Sequence, residues 1–315
     1  MKNLIFIVAF WTASALAYDG TDYASACSPP LGKSATSPVN KMTMAVAHSM
    51  EKGRGYMKKV DGKYQDGPII ERLQNSVGLD NCNLRIQNKM EDSFCSAGTY
   101  LAFLKVIEQA QNSGAVKLNC ASANALLPKN KNLQPDGVGV WGQWNSDGQG
   151  TAVVLNQLGM AQNTHDVSQA EQGDFAKIDW KSGDGHSVIF DSMRNCKKCP
   201  SCASEQSVCY WSVNISNDTT YMADGDNGRQ DGGWGLKCRP KSAVGSITIS
   251  HIKNLSDVNN AGTNIGSGYD NPNYRNPFLV SGARVTSAQM DQLAGIGIAP
   301  NPVFRAVADK SGVSQ

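Results

Sequence analysis

The sequence predicts an α+β domain, with helices gathered in its first half and antiparallel strands in its second. Helical periodicity is clearest between residues 93 and 112. Strand-like apolar runs begin only after Gly159, at Asp174–Trp180, Ser187–Phe190, Val208–Ile215 and Ser246–Ile252. Elements that cluster by type describe an α+β domain, not a sheet built from alternating strands and helices.

Taken in order, Met1-Lys2-Asn3 precedes an apolar run from Leu4 to Leu16 that ends in Ala15-Leu16-Ala17. A basic start, a short apolar centre and small residues at the end are the pattern of a signal peptide, here residues 1–17, cleaved before Tyr18. The run is too short for a comfortable membrane span, and no later stretch is long enough. The expected location is therefore secreted or periplasmic, with no integral membrane segment after cleavage. Residues 18–40 are rich in Ser, Pro, Ala and Gly and read as an extended lead-in. A catalytic domain is expected over 41–252, followed by a loop-rich C-terminal extension over 253–315.

Within the domain, Met42–Met50 is apolar enough for a short helix. Gly53–Gly67 reads as a basic loop, and Pro68–Leu73 as a helix with proline at a tolerated first position. Over 93–112, Phe94, Leu101, Leu104, Val106 and Ile107 form an apolar stripe widened by Tyr100 and Phe103. Asp92 or Ser93 can cap its start, and Asn112-Ser113-Gly114 ends it. Residues 121–150 read mostly as loop. Thr151–Leu158 reads as a helix stopped by Gly159, and the strands named above follow. Residues 253–283 read as loop, and Thr286–Leu293 as a small helix before a polar tail.

Composition narrows the function. The chain has 315 residues, 40 % of them apolar, and a net charge of +2, so electrostatics gives no case for nucleic acid or an anionic membrane as the main partner. Nine cysteines stand at 27, 82, 95, 120, 196, 199, 202, 209 and 238. In an exported chain disulfides are the default, and an odd count leaves at least one thiol unpaired. Cys95 is the natural candidate. It could instead be one end of a bridge, with another cysteine left over. The other eight could form four bridges of unspecified pairing. The spacing of Cys196, Cys199, Cys202 and Cys209 would suit zinc in a reducing compartment; export favours a disulfide-pinned hairpin between the strands of His186 and Asn214.

Cys95 carries the chemistry. It stands where the best helix begins, and backbone N–H groups at a helix N-terminus stabilise a thiolate. Its own N–H is also suited to an oxyanion. His186 opens a later strand after Gly183-Asp184-Gly185 and could act as base and then as acid. On the next strand Ser212 and Asn214 share a face, opposite Trp211, Val213 and Ile215. Asn214 is the preferred acceptor to orient an imidazole, with Ser212 second. His48, His165 and His251 have no metal-ligand spacing; His165 is a weak alternative base. No cofactor or metal is called for.

Gly173-Asp174-Phe175-Ala176-Lys177-Ile178 followed by Gly185-His186-Ser187-Val188-Ile189-Phe190 resembles the histidine half of NlpC-like and CHAP amidases, where Gly-Asp opens one strand and Gly-His the next. Ser93-Phe94-Cys95-Ser96 is similar to the start of their nucleophile helix. Tyr210-Trp211-Ser212-Val213-Asn214 is similar to the strand bearing their polar third residue. The resemblance covers roughly residues 88–216. It implies a papain-like core with helices packed on an antiparallel sheet, here with a disulfide-rich insert. It also implies a Cys95–His186 amide hydrolase acting on peptidoglycan, in its stem or cross-bridge peptides or at the amide joining peptide to sugar; a monomer is expected. Two departures stand out: a long insert between Cys95 and His186, and a third residue that is not His, Glu or Asp. The insert holds Trp141 and Trp144, suited either to stacking on sugar or peptide or to anchoring a loop. The open alternatives are a papain-like peptidase or amidotransferase acting on protein, and a non-catalytic disulfide-stabilised binding protein of the cell envelope.

Overall fold

A seven-stranded antiparallel sheet organises the computed structural model, in the order β1-β7-β2-β3-β4-β6-β5. The structure describes residues 32–51, 82–86, 95–126, 150–182, 185–195, 206–213, 222–223, 233–264 and 286–297. The strands are β1 (Ala161–Thr164), β2 (Phe175–Trp180), β3 (Gly185–Asn195), β4 (Gln206–Ser212), β5 (Met222–Ala223), β6 (Gly235–Pro240) and β7 (Val244–Ile252). The helices are α1 (Pro38–Ser49), α2 (Cys95–Asn112), α3 (Cys120–Leu126), α4 (Gly150–Gln157), α5 (Ala261–Asn264) and α6 (Ser287–Leu293). Helices in the first half and antiparallel strands in the second make the fold α+β, as the sequence predicts. No described helix is long and apolar enough to cross a membrane.

Local chemistry explains where the elements start and stop. Helix α1 begins earlier than Met42, inside the expected lead-in, because Ser37 accepts from the Asn40 N–H and Pro38 fits the first turn. Helix α4 ends in a Schellman turn: Gly159 N–H donates to the Asn156 carbonyl and Met160 N–H to that of Leu155. Gly159 takes φ +74° there, a conformation glycine adopts without strain. Helix α3 lies where a loop was expected. Asn119 caps it by accepting from Ser122 N–H at 2.8 Å, and Cys120 at its start is bridged to Cys82.

The chain beyond residue 252 also departs from the loop expected there. A 3₁₀ stretch, Leu255–Asn260, leads into α5, and Leu255, Val258 and Ala261 join the main core. Ser122 Oγ donates to the Asn259 carbonyl at 2.5 Å, and a Cβ on Gly262 would stand 2.7 Å from that of Ala121. These residues therefore pack against α3. Strands β1, β5 and β6 have no counterpart in the sequence reading; β3 and β7 run longer than expected, and β4 ends at Ser212. The Pro68–Leu73 helix and the Trp141–Gly148 loop lie outside the described residues.

The two faces of the sheet bury different clusters. Phe175, Ile189, Cys209, Trp211, Leu236 and Ile252 pack with the helices in the larger core. Ala176, Ile178, Trp180, Val188, Phe190 and Tyr210 form the second cluster on the opposite face. Alternation along each strand assigns every other side chain to one face or the other.

Candidate active site

Cys95 is the first residue of α2, is buried, and is the free cysteine among the described residues. One turn later, Thr99 Oγ1 lies 2.6 Å from the Cys95 carbonyl and 2.9 Å from the carbonyl of Ser187. One hydroxyl thus fixes the opening turn of the helix to strand β3, next in chain to His186. Further along, the Phe103 ring meets Phe175 edge-on at 5.8 Å. Phe175 pairs with Ile189, two residues past Ser187. Helix α2 therefore runs with β3 from the Ser187 level to the Ile189 level. Its N-terminus heads the other way, toward Gly185.

The imidazole of His186 takes the opposite side of the sheet. His186 pairs with Ile178, a member of the second cluster, and cross-strand partners share a face. Its ring lies 5.4 Å from that of Tyr210 and 6.2 Å from that of Trp180, both in the same cluster. The structure thus brings the Cys95 turn to the histidine strand, with the imidazole on the face away from α2. Ser212 has the same parity as Tyr210, and its Oγ donates to the Ser187 carbonyl at 2.8 Å. Two hydroxyls, Thr99 and Ser212, therefore converge on one carbonyl from either face, where the β3–β4 ladder ends. Asn214 lies outside the described residues.

No protein-family model, curated protein or solved structure matches the chain. The residues around Cys95 must therefore speak for themselves.

On the helix face, the Gly185 end of the β2–β3 hairpin is polar. Lys177 pairs with Ser187 on one side and Thr248 on the other; Asp179 pairs with Gly185 and Ser246. Thr151, from the first turn of α4, points its hydroxyl at that of Ser187, 3.5 Å away. Asp179 accepts from Ser246 Oγ at 2.7 Å. Lys177 is only 3 % exposed. Its ammonium stands 2.5 Å from where a Cβ on Gly185 would be, so glycine leaves the space it occupies. Sequence reasoning missed Lys177 because a strand lysine normally faces water. The register that places it beneath the helices is a long-range property.

The Gly-Asp pair has a structural task. Asp174 is buried, and its Oδ1 accepts from Asn40 Nδ2 at 2.9 Å and lies 2.8 Å from His251 Nδ1. Its Oδ2 accepts from the Glu171 N–H at 2.8 Å. This carboxylate joins α1, β2 and β7. Its hydrogen bond raises the pKa of His251 above the ordinary histidine value, against the opposing effect of burial. His251, which has no metal-ligand spacing in the sequence, is therefore a structural partner. His165 is likewise engaged, 2.8 Å from Asp291, and His48 lies edge-on to Trp211.

The Cys209 expectation also changes. Cys209 is bridged to Cys238, its directly opposite partner across β4 and β6. That bond staples β4 to β6, not the β3–β4 hairpin, and takes Cys209 out of any metal set. Cys196, Cys199 and Cys202 lie outside the described residues, as does Cys27.

Proposed function

We propose that this chain is an exported, papain-like cysteine hydrolase that cleaves amide bonds in peptidoglycan, as an endopeptidase or an amidase. The observation that carries the reading is Cys95: a buried free thiol at the N-terminus of an 18-residue helix docked on the Gly-His strand. There the helix N–H groups favour the thiolate and offer a donor to the tetrahedral oxyanion. Cys95 attacks the carbonyl, the C–N bond breaks as the amine leaves protonated, and water then hydrolyses the thioester to free the acid and the thiol. His186 is the base this reading calls for, although its imidazole packs beside Tyr210 and Trp180 on the face away from α2; His186→Ala leaving turnover unchanged would remove it from the mechanism. Asn214 or Ser212 orients the imidazole.

The test is digestion of purified peptidoglycan, with products analysed by mass spectrometry beside a casein digest. Cys95→Ser is expected to lower turnover by a factor of about 10³ or more. Unchanged turnover in that variant would remove Cys95 from the mechanism. The position of the His186 ring favours a second reading, a disulfide-stabilised envelope protein that binds without catalysis. Wall binding with no product from the wild type would select it.

A further inference from the structure

We infer that the Cys82–Cys120 disulfide is a reducible clasp on the segment 82–86, a strap held against helix α2, and that opening it frees the strap while the sheet stays intact. The inference goes beyond the hydrolase reading and does not rest on it.

Three side chains of α2 grip the strap. Lys105, Glu108 and Gln111 are spaced by three, so they share one side of the helix. Glu108 Oε1 accepts from the Ile86 N–H at 2.9 Å, and Lys105 Nζ donates to the Ile86 carbonyl at 2.6 Å. Lys105 and Glu108 also pair with each other. Gln111 Oε1 accepts from the Leu84 N–H at 3.4 Å, a long bond. The grip therefore weakens from Ile86 toward Cys82. Leu84 and Ile86 are buried in the main core, while Arg85 between them is exposed. At the weak end the bridge to Cys120 takes over. Cys82 has φ +56°, the only positive φ at a non-glycine residue among the described residues. That backbone is costly for a residue with a Cβ, and opening the bridge removes a constraint that maintains it.

The two disulfides among the described residues differ in exposure. Cys209 and Cys238 are fully buried in the main core, opposite each other on paired strands. A reductant reaches them only when the sheet opens. Cys120 is exposed at the start of α3. Its own side of the bridge stays anchored. Ser122 Oγ and Asn119 Nδ2 donate to the Asn259 carbonyl at 2.5 and 3.2 Å, and Ser122 Oγ accepts from the Gly262 N–H at 3.2 Å. The Cys82 side is therefore the one that moves. The reductant is a small dithiol. One of its thiolates attacks the Cys120 sulfur and displaces the Cys82 thiolate; the second displaces Cys120 and closes a cyclic disulfide. Two electrons pass to the bridge, and the two protons lost by the dithiol end on the cysteines. The strap is the last described segment before Cys95, which places the clasp next in chain order to the candidate nucleophile.

Dithiothreitol added to the folded protein, with new thiols trapped by N-ethylmaleimide at intervals and read on their peptides by mass spectrometry, gives the order of opening. Cys82 and Cys120 are expected to open at least about tenfold faster than Cys209 and Cys238. Amide hydrogen exchange followed by NMR then reads the strap in Cys82→Ser/Cys120→Ser. The Leu84 amide should exchange at least about tenfold faster than in the wild type, and the Ile86 amide should change by a smaller factor. The Phe190 amide, bonded to the Asp174 carbonyl at 2.7 Å, should keep its wild-type rate. Opening of Cys209–Cys238 first, or at the same rate, overturns the inference. So does an unchanged Leu84 amide, or a Phe190 amide that accelerates with it. Should the double variant not fold, wild-type protein reduced at Cys82–Cys120 carries the same exchange measurement. Neither assay reads turnover, so an inactive wild type would sink the hydrolase reading and leave the clasp standing.

Discussion

Gly173→Ala asks for a methyl group where the backbone of Asn40 already stands. A Cβ there would lie 2.5 Å from the Asn40 carbonyl oxygen and 3.0 Å from its carbonyl carbon and Cα. None of these is the yielding end of a side chain, so helix α1 must move. Gly173 also has φ +96°, which costs an L-residue about 1–2 kcal/mol. Displacing α1 stretches the buried bond from Asn40 to the Asp174 carboxylate, worth about 1.5–3 kcal/mol. The two effects together predict a loss of about 2.5–5 kcal/mol. Gly159→Ala is the control: φ is +74°, and nothing lies within 4 Å of its Cβ position. It should lose only the backbone cost, about 1–2 kcal/mol. Urea unfolding with the disulfides intact compares the two, using midpoints at matched slopes. Equal losses would show that the Asn40 contact does not constrain this position, and the argument for a close-packed Gly-Asp turn would fall.

The remaining expectations concern cross-links and pH. Replacing Cys209 and Cys238 together by alanine opens a closed loop with a sequence separation of 29. It should lower stability by about 3–4 kcal/mol in urea unfolding, and a change under about 1 kcal/mol would refute a stapling role. His251 is held above its ordinary pKa by Asp174, so its contribution is fully present below about pH 6.5 and fades as pH rises through the folded-state value. The stability gap between wild type and His251→Gln should therefore be widest in mild acid and shrink toward pH 9; a gap that grows with pH would contradict the assignment.

The legible parts of the fold are those with their own periodicity. Helix α2 is announced by its apolar stripe, and β2, β3, β4 and β7 by runs of Ile, Val, Phe and Trp. Strand β1, Ala-Gln-Asn-Thr, has no apolar pattern because it is an edge strand, defined by pairing with β7. Helix α3 is built from small residues and a capping asparagine, so its sequence resembles a loop. The hardest feature to foresee was the facing of β3. Ser187 and Ile189 alternate with His186, Val188 and Phe190, and both faces are buried. Neither face is marked as the one beneath the helix; only the docking of Thr99 decides it. The same ambiguity hid Lys177.

The Asp174 carboxylate also sets an order of events for a growing chain. It joins Asn40, 134 positions earlier, to His251, 77 positions later. Helix α1 can form as soon as it emerges, but its buried asparagine has no acceptor until β2 exists, and the histidine arrives only with β7. Made from its N-terminus, the chain therefore holds that asparagine unsatisfied until residue 174 has followed, and the three-way junction closes only with β7.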